Sequence, residues 1–160
     1  MGPPVNISIP DPDLQFSLRL GIELCRAGEW REGLTWLGEA AAYRGEGLEF
    51  PALYYSYLGY GIAMQERFTE GLSLCRYAVE LESDEPENHL NLARTYLLSG
   101  MQPKALEAVC RGLEVDPNNA ELRRLQRDLA GGHWLRRPVR LRALVDRLAG
   151  WWNRSSFAGK

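Results

Sequence analysis

Three cysteines and two histidines are the residues of this chain whose chemistry best suits metal binding or nucleophilic catalysis. Structural zinc sites need Cys and His residues a few positions apart, whereas Cys25, Cys75 and Cys110 are widely separated and lack a nearby His. An odd, widely spaced set also predicts no disulfide framework, so we expect reduced thiols. Cys75 and Cys110 fall in apolar stripes of predicted helices, where a free cysteine packs as a small hydrophobe.

The remaining polar residues form no catalytic pattern in the sequence. His89 takes the place of a large apolar residue in a predicted helix, so we expect it to pack, and His133 stands alone. No Gly-rich phosphate loop, Ser-His-Asp arrangement or supported pair of acids occurs, and the glutamates fall on predicted solvent-facing positions. We therefore predict a protein that is not an enzyme, with no catalytic residue, metal, cofactor or small-molecule substrate.

The spacing of small residues predicts how the chain folds. The pairs Leu20-Gly21, Leu58-Gly59 and Leu92-Ala93 each precede further small residues, which are Gly33, Gly71 and Ala105, then Ala40, Ala78 and Gly112. The second and third windows are 34 residues apart and the first and second are 38 apart, a period typical of stacked helix pairs. A glycine inside a helix costs about 1 kcal/mol relative to alanine, so its recurrence at one place predicts a close helix crossing.

The apolar periodicity predicts an all-α, right-handed α-solenoid. The predicted helices span 14–28, 29–43, 52–65, 69–82, 87–99, 103–115 and 120–130. The predicted organisation is a Pro-rich leader (1–13), three helix-turn-helix repeats (14–47, 52–85 and 86–119), a capping helix (120–131) and a tail (132–160). One helix pair cannot bury its apolar face alone, so three pairs with a capping helix are about the minimum stable array.

The pattern resembles the tetratricopeptide repeat family. Repeat 86–119 matches best, with Leu92-Ala93, Tyr96, Gly100, Ala105, Leu113 and Asp116-Pro117-Asn118-Asn119. The resemblance implies an adaptor or scaffold that holds a peptide or helix of another protein on the concave face of the first helices. One subfamily clamps the C-terminal carboxylate of a chaperone with lysine, asparagine and arginine. None of the corresponding residues here matches, and they are Leu18, Ile22, Tyr57, Glu87 and Asn91.

The resemblance also implies which residues line this concave groove. They are Leu18, Ile22, Leu53, Tyr57, Tyr60, Met64, Leu90, Asn91, Arg94 and Leu97. Tyrosine is a favoured anchor at interfaces because it offers a large rigid area and a polar tip. Packing between helices is the alternative role for Tyr57 and Tyr60, and Arg94 is the one cation in the set.

The last part of the chain differs from the repeats in charge. Residues 133–160 carry seven basic side chains and one acidic, against 12 basic and 20 acidic in residues 1–132. Apolar residues follow helical spacing there. The residues predicted to dock or to contact a membrane are Trp134, Arg136, Arg137, Arg140, Leu141, Leu144, Val145, Leu148, Trp151 and Trp152.

Three roles for this tail stay open. It packs on the last helices of the solenoid, or it lies in a membrane interface with its arginines on anionic headgroups, or it binds a partner protein. Nucleic acid is not an expected partner, because the body of the protein is acidic and phosphate binding requires a basic face.

The sequence predicts a cytoplasmic location, with peripheral membrane association as the alternative. No basic region precedes an apolar run at the N-terminus, no apolar stretch approaches the roughly 18 residues of a membrane span, and Asn6 stands where an acylation motif requires Ser or Thr. We expect a protein–protein interaction adaptor. The alternatives are a secretion-type chaperone for an apolar client, since small three-repeat proteins resemble that group, and a membrane scaffold anchored by the tail.

Overall fold

The computed structural model describes residues 12–42 and 50–131. Within these ranges the chain forms seven helices and no strand, which confirms the predicted all-α architecture. The helices are α1 (Pro12–Arg26), α2 (Trp30–Ala42), α3 (Ala52–Ala63), α4 (Phe68–Leu81), α5 (Pro86–Leu98), α6 (Gln102–Val115) and α7 (Ala120–Ala130). Consecutive helices pack as antiparallel pairs, α1 with α2, α3 with α4 and α5 with α6, and α7 packs on α6.

Parts of the predicted organisation cannot be compared with the structure. The leader up to residue 11, residues 43–49 and the predicted tail from residue 132 lie outside the described residues. The division into leader, repeats and tail therefore stays a prediction. No described helix combines the length and the apolar character that crossing a bilayer requires.

The recurring small residues lie where the two helices of a pair cross. A Cβ atom on Gly71 of α4 would lie 2.6 Å from the carbonyl oxygen of Gly59 in α3, and one on Gly33 of α2 would lie 2.8 Å from the carbonyl oxygen of Gly21 in α1. In the third pair, fully buried Ala93 and Ala105 take these places. The predicted close crossing is therefore confirmed for the first two pairs.

Apolar side chains form two buried clusters along the array. The first joins α1, α2 and α3 and includes Leu14, Leu37 and Tyr54. The second joins α4 to α7 and includes Val109 and Leu122. Because Leu122 of α7 is fully buried, α7 closes the second cluster as a capping helix should.

Several polar and thiol side chains lie inside these clusters. His89 is buried, as its position in the repeat predicts, and its Nε2 lies 2.8 Å from the backbone oxygen of Ser83. Cys25 and Cys75 are also buried, and burial raises the pKa of both thiols to about 12. Cys110, which the sequence predicts to pack in the apolar stripe of α6, is instead left exposed by the described helices.

Candidate functional site

The first helices of the pairs form a groove with a volume of about 500 Å³. Its walls come from α1, α3, α5 and the start of α7, with the first residue of α2 at one side. The side chains that give the groove its chemistry are Arg26, Trp30, Tyr57, Glu87, Arg94 and Glu121. We call this site the groove below.

One end of the groove holds a polar cluster that joins three helices. Nε of Arg26 in α1 lies 3.0 Å from each carboxylate oxygen of Glu87 in α5 and donates a hydrogen bond to them. The hydroxyl of Tyr57 in α3 donates to Oε2 of the same carboxylate at 2.8 Å. Burial, and then the negative charge of Glu87, raises the pKa of Tyr57, so this hydroxyl stays protonated and keeps its donor role.

The other end of the groove holds a second cluster around Arg94 of α5. Nη2 of Arg94 lies 2.6 Å from Oε2 of Glu121 at the start of α7, and Nη1 donates to Oδ1 of Asn91 at 3.3 Å. The guanidinium carbon lies 5.8 Å from the centre of the Tyr60 ring, which is within the range of a cation–π interaction. Arg94 is therefore held by three neighbours, of which only Glu121 is largely exposed.

Aromatic rings line the wall between the two clusters. The Trp30 ring centre lies 5.8 Å from that of Tyr57 and 4.9 Å from that of Tyr60, and the second pair meets edge to face. Aromatic pairs at this separation contribute about 0.5–1.5 kcal/mol beyond the area that they bury. The groove thus combines an aromatic wall with one arginine–glutamate pair at each end.

The predicted groove residues fall into two groups. Tyr57, Leu90 and Arg94 line the groove, and Tyr60 lies under Arg94. The other six do not line the groove and are buried or half-buried in helix contacts, and these are Leu18, Ile22, Leu53, Met64, Asn91 and Leu97.

These six side chains are buried or half-buried because the first helices pack directly on one another. Asn91 of α5, for example, is fully buried and donates a hydrogen bond from Nδ2 to the hydroxyl of Ser56 in α3 at 3.1 Å. A residue one position away, such as Leu90, lies about 100° around the helix and reaches the groove. The predicted tail residues, from Trp134 to Trp152, lie outside the described residues.

Sequence reasoning did not assign Arg26, Trp30 and Glu121 to the site, and it named Glu87 only as a residue that does not match the clamp. Arg26 and Glu87 are 61 residues apart, so only the stacking of α1, α3 and α5 brings them together. Glu121 belongs to the capping helix, and Trp30 opens a second helix. Opposite charge at the ends of first helices is a signal that could have found Arg26 and Glu87, since Arg26 ends α1 and Glu87 lies in the first turn of α5. In the described ranges, no three His, Cys, Asp or Glu side chains come close enough together to hold a metal ion.

Comparison with known proteins gives a family match and several similar structures. Residues 63–129 match the sequence model of the tetratricopeptide repeat family, and no curated protein sequence matches the chain. The first tetratricopeptide repeat domain of Spaghetti (RPAP3), solved with the HSP90 peptide SRMEEVD, is 15% identical, with a TM-score of 0.58. That similarity covers 75% of this chain and 94% of the solved one.

Two further solved structures have the same fold. The tetratricopeptide repeat domain of Arabidopsis OM64 is 15% identical with a TM-score of 0.56, over 72% of this chain and 93% of that chain. PcrH from Pseudomonas aeruginosa is 16% identical with a TM-score of 0.52, over 88% of this chain and 95% of that chain. These matches confirm the predicted helical repeat solenoid.

Proposed function

We propose that this chain, a tetratricopeptide repeat protein, is an adaptor that binds a short acidic segment of a partner protein in the groove, with Arg94 as the anchor. Solenoids of this kind use their concave surface for binding, which supports a protein partner. The observation that carries the proposal is the geometry of Arg94, whose guanidinium is already oriented by Asn91 and Tyr60 and is neutralised by an exposed carboxylate.

The Arg94–Glu121 pair can be replaced at little free-energy cost. The Glu121 side chain is 60% exposed, and ion pairs with an exposed partner contribute only about 0.2–1 kcal/mol. A carboxylate of the partner can take the place of Glu121 and accept two hydrogen bonds from the planar guanidinium, which arginine offers and lysine does not. Binding then replaces the weak Arg94–Glu121 ion pair with an ion pair between Arg94 and the partner's carboxylate, which the aromatic wall shields better from solvent.

The opposite end of the groove favours a different part of the partner. Glu87 already accepts hydrogen bonds from Arg26 and Tyr57, so its carboxylate repels a second acid and leaves Arg26 engaged. The half-buried Trp30 ring, which packs on the buried Tyr57 ring, offers apolar area beside it. We expect a ligand whose acidic group lies at Arg94 and whose apolar or aromatic residue lies against Trp30.

The volume of the groove limits the length of the bound segment. A helix with its side chains is about 10–12 Å wide and rises about 5.4 Å per turn, so about 500 Å³ accommodates roughly one turn. The ligand segment inside the groove is therefore a few residues long. One similar domain was solved with an HSP90 peptide, but this chain lacks the residues that the clamp subfamily uses, so we do not propose that ligand for it.

Selection of random peptides displayed on phage, with the full chain as bait, tests the proposal. We expect the selected peptides to be enriched in Asp or Glu next to an apolar residue. Arg94→Gln should weaken their binding by about tenfold or more, because a hydrogen bond to a charged group is worth about 1.5–3 kcal/mol. The matched control is Arg111→Gln, which removes an equally charged side chain paired with Glu107 on α6, outside the groove.

Two outcomes of this selection contradict the proposal. Acidic peptides that bind Arg94→Gln as tightly as the unaltered chain would show that Arg94 is not the anchor. Selection of uniformly apolar peptides, insensitive to both substitutions, would instead support the chaperone alternative, in which an apolar client segment is shielded.

A further inference from the structure

An apolar strip on α6 is left uncovered by the described helices. Leu106 is 42% exposed and Cys110 one turn later is exposed, whereas Leu113 is half-buried against the edge of the second cluster. Their spacing of four and three residues places them on one side of the helix. We call these three residues the α6 face.

The equivalent position in the preceding repeat is covered. Leu72 of α4 stands 34 residues before Leu106, and it is only 7% exposed because it belongs to the cluster formed with α5, α6 and α7. Leu34 of α2 has the same place in the first repeat, and its side chain contacts the position of Gly61 in α3. In both repeats the first helix of the next pair, α3 or α5, covers this leucine.

The helix α7 stands where α5 stands in the preceding repeat, but it covers the second helix of its pair less fully. The hydroxyl of Tyr96 in α5 accepts a hydrogen bond at 3.1 Å from Arg76 of α4. The residue 34 positions after Tyr96 is Ala130, which has no such polar group. Leu129 of α7 packs against the second cluster, whereas Leu106 of α6 stays 42% exposed.

The sequence beyond α7 repeats the apolar pattern of α6. After Pro103, apolar residues or cysteine occupy the third, sixth, seventh and tenth following positions, as Leu106, Val109, Cys110 and Leu113. After Pro138 the same four positions hold Leu141, Leu144, Val145 and Leu148. Because α6 and α7 form an antiparallel hairpin, α7 ends beside the first turns of α6, and the chain leaves α7 near the N-terminal end of α6.

We propose that residues 138–148 of the same chain cover the α6 face. The contact uses the second helices of the array, whereas the groove uses the first helices. The inference therefore goes beyond the proposed function and does not depend on it.

The thiol of Cys110 reports directly on this contact. It is exposed on the α6 face, whereas Cys25 and Cys75 are buried. The experiment measures the rate at which a maleimide labels Cys110 in the full chain and in the double variant Leu141→Gln and Leu144→Gln. A docked segment leaves the face open in a minor state of roughly 10% or less. We therefore expect the maleimide to label Cys110 at least about tenfold more slowly in the unaltered chain than in the variant.

The control is the double variant Arg140→Gln and Arg147→Gln, which alters the same segment outside its apolar stripe and should label as slowly as the unaltered chain. Continued protection of Cys25 and Cys75 shows that each variant is folded. Equal, fast labelling of the unaltered chain and the Leu141 and Leu144 variant overturns the proposal. Protection that increases with protein concentration also overturns it, because a second copy would then cover the face. Fast labelling together with binding to phosphatidylserine vesicles overturns it in favour of a membrane contact.

Discussion

Replacing Gly71 with alanine tests the helix crossing on which the whole array depends. The added Cβ would lie 2.6 Å from the carbonyl oxygen of Gly59, 2.8 Å from Cβ of Ala63 and 3.0 Å from the Ala63 nitrogen. Nonbonded heavy atoms of this kind normally stay about 3.5–4.0 Å apart. Two of the three neighbours are backbone atoms that no side-chain rotation can move, so α3 and α4 must separate.

Two opposing effects set the expected change in the free energy of unfolding, namely the cost of overpacking and the gain in helix propensity. Overpacking a well-packed core costs about 1–3 kcal/mol, and the backbone neighbours place Gly71 near the upper end of that range. Alanine recovers about 1 kcal/mol of helix propensity relative to glycine. We expect a net decrease of about 2 kcal/mol in the free energy of unfolding, which lowers Tm by roughly 4–8 °C for a chain of this size.

Urea denaturation followed by far-ultraviolet circular dichroism measures this change. The matched control is Gly38→Ala in α2, where the added Cβ meets no atom within 4 Å, so propensity alone should raise stability by up to about 1 kcal/mol. The two substitutions are chemically identical and should act in opposite directions. If Gly71→Ala were as stable as the unaltered chain, the reasoning about the crossing would be refuted.

Three further predictions concern the core, the thiols and the groove. Leu122→Ala should lower the free energy of unfolding in urea by about 2–5 kcal/mol, because the fully buried side chain of Leu122 packs where Gly112 leaves room. The control Leu81→Ala, at an exposed site, should lower this free energy much less. Burial raises the pKa of the Cys25 and Cys75 thiols from 9.0 to about 12, so their contribution to stability is complete below pH 9 and is lost between pH 9 and 12. Urea titrations across that range should show a smaller decline for Cys75→Ala, and an identical decline would contradict the assignment. Glu121→Gln should raise the affinity for acidic peptides by up to about fivefold in calorimetric titrations, because it removes the carboxylate that competes with the peptide for Arg94. A lower affinity would contradict the idea that the peptide displaces Glu121 from Arg94.

The sequence predicts the helices well because their signals are local. Gly28 and Gly100 have positive φ values of 86° and 74° just after α1 and α5, as a glycine that ends a helix should, and Pro103 falls in the first turn of α6. The repeat spacing likewise predicts the glycine crossings, because the same steric requirement recurs in each pair.

The groove was only partly predictable because its chemistry depends on tertiary contacts. The repeat pattern indicates which helices face the groove, but not whether a side chain such as Asn91 turns toward Ser56 or toward solvent. The pairing of Arg26 with Glu87 and of Arg94 with Glu121 joins different repeats, and no local rule specifies it. Cys110 was misplaced for the same reason, since the apolar stripe of α6 does not reveal which part of it the described helices cover.

A nuclear magnetic resonance titration of the full chain with an acidic peptide selected on it tests the account most directly. We predict that the side-chain signals of Arg94 and the indole signal of Trp30 shift together as the peptide is added, while the Arg111 side-chain signals stay unchanged. Shifts confined to α2, α4 and α6, with Arg94 and Trp30 unaffected, would contradict the account and place the binding surface outside the groove.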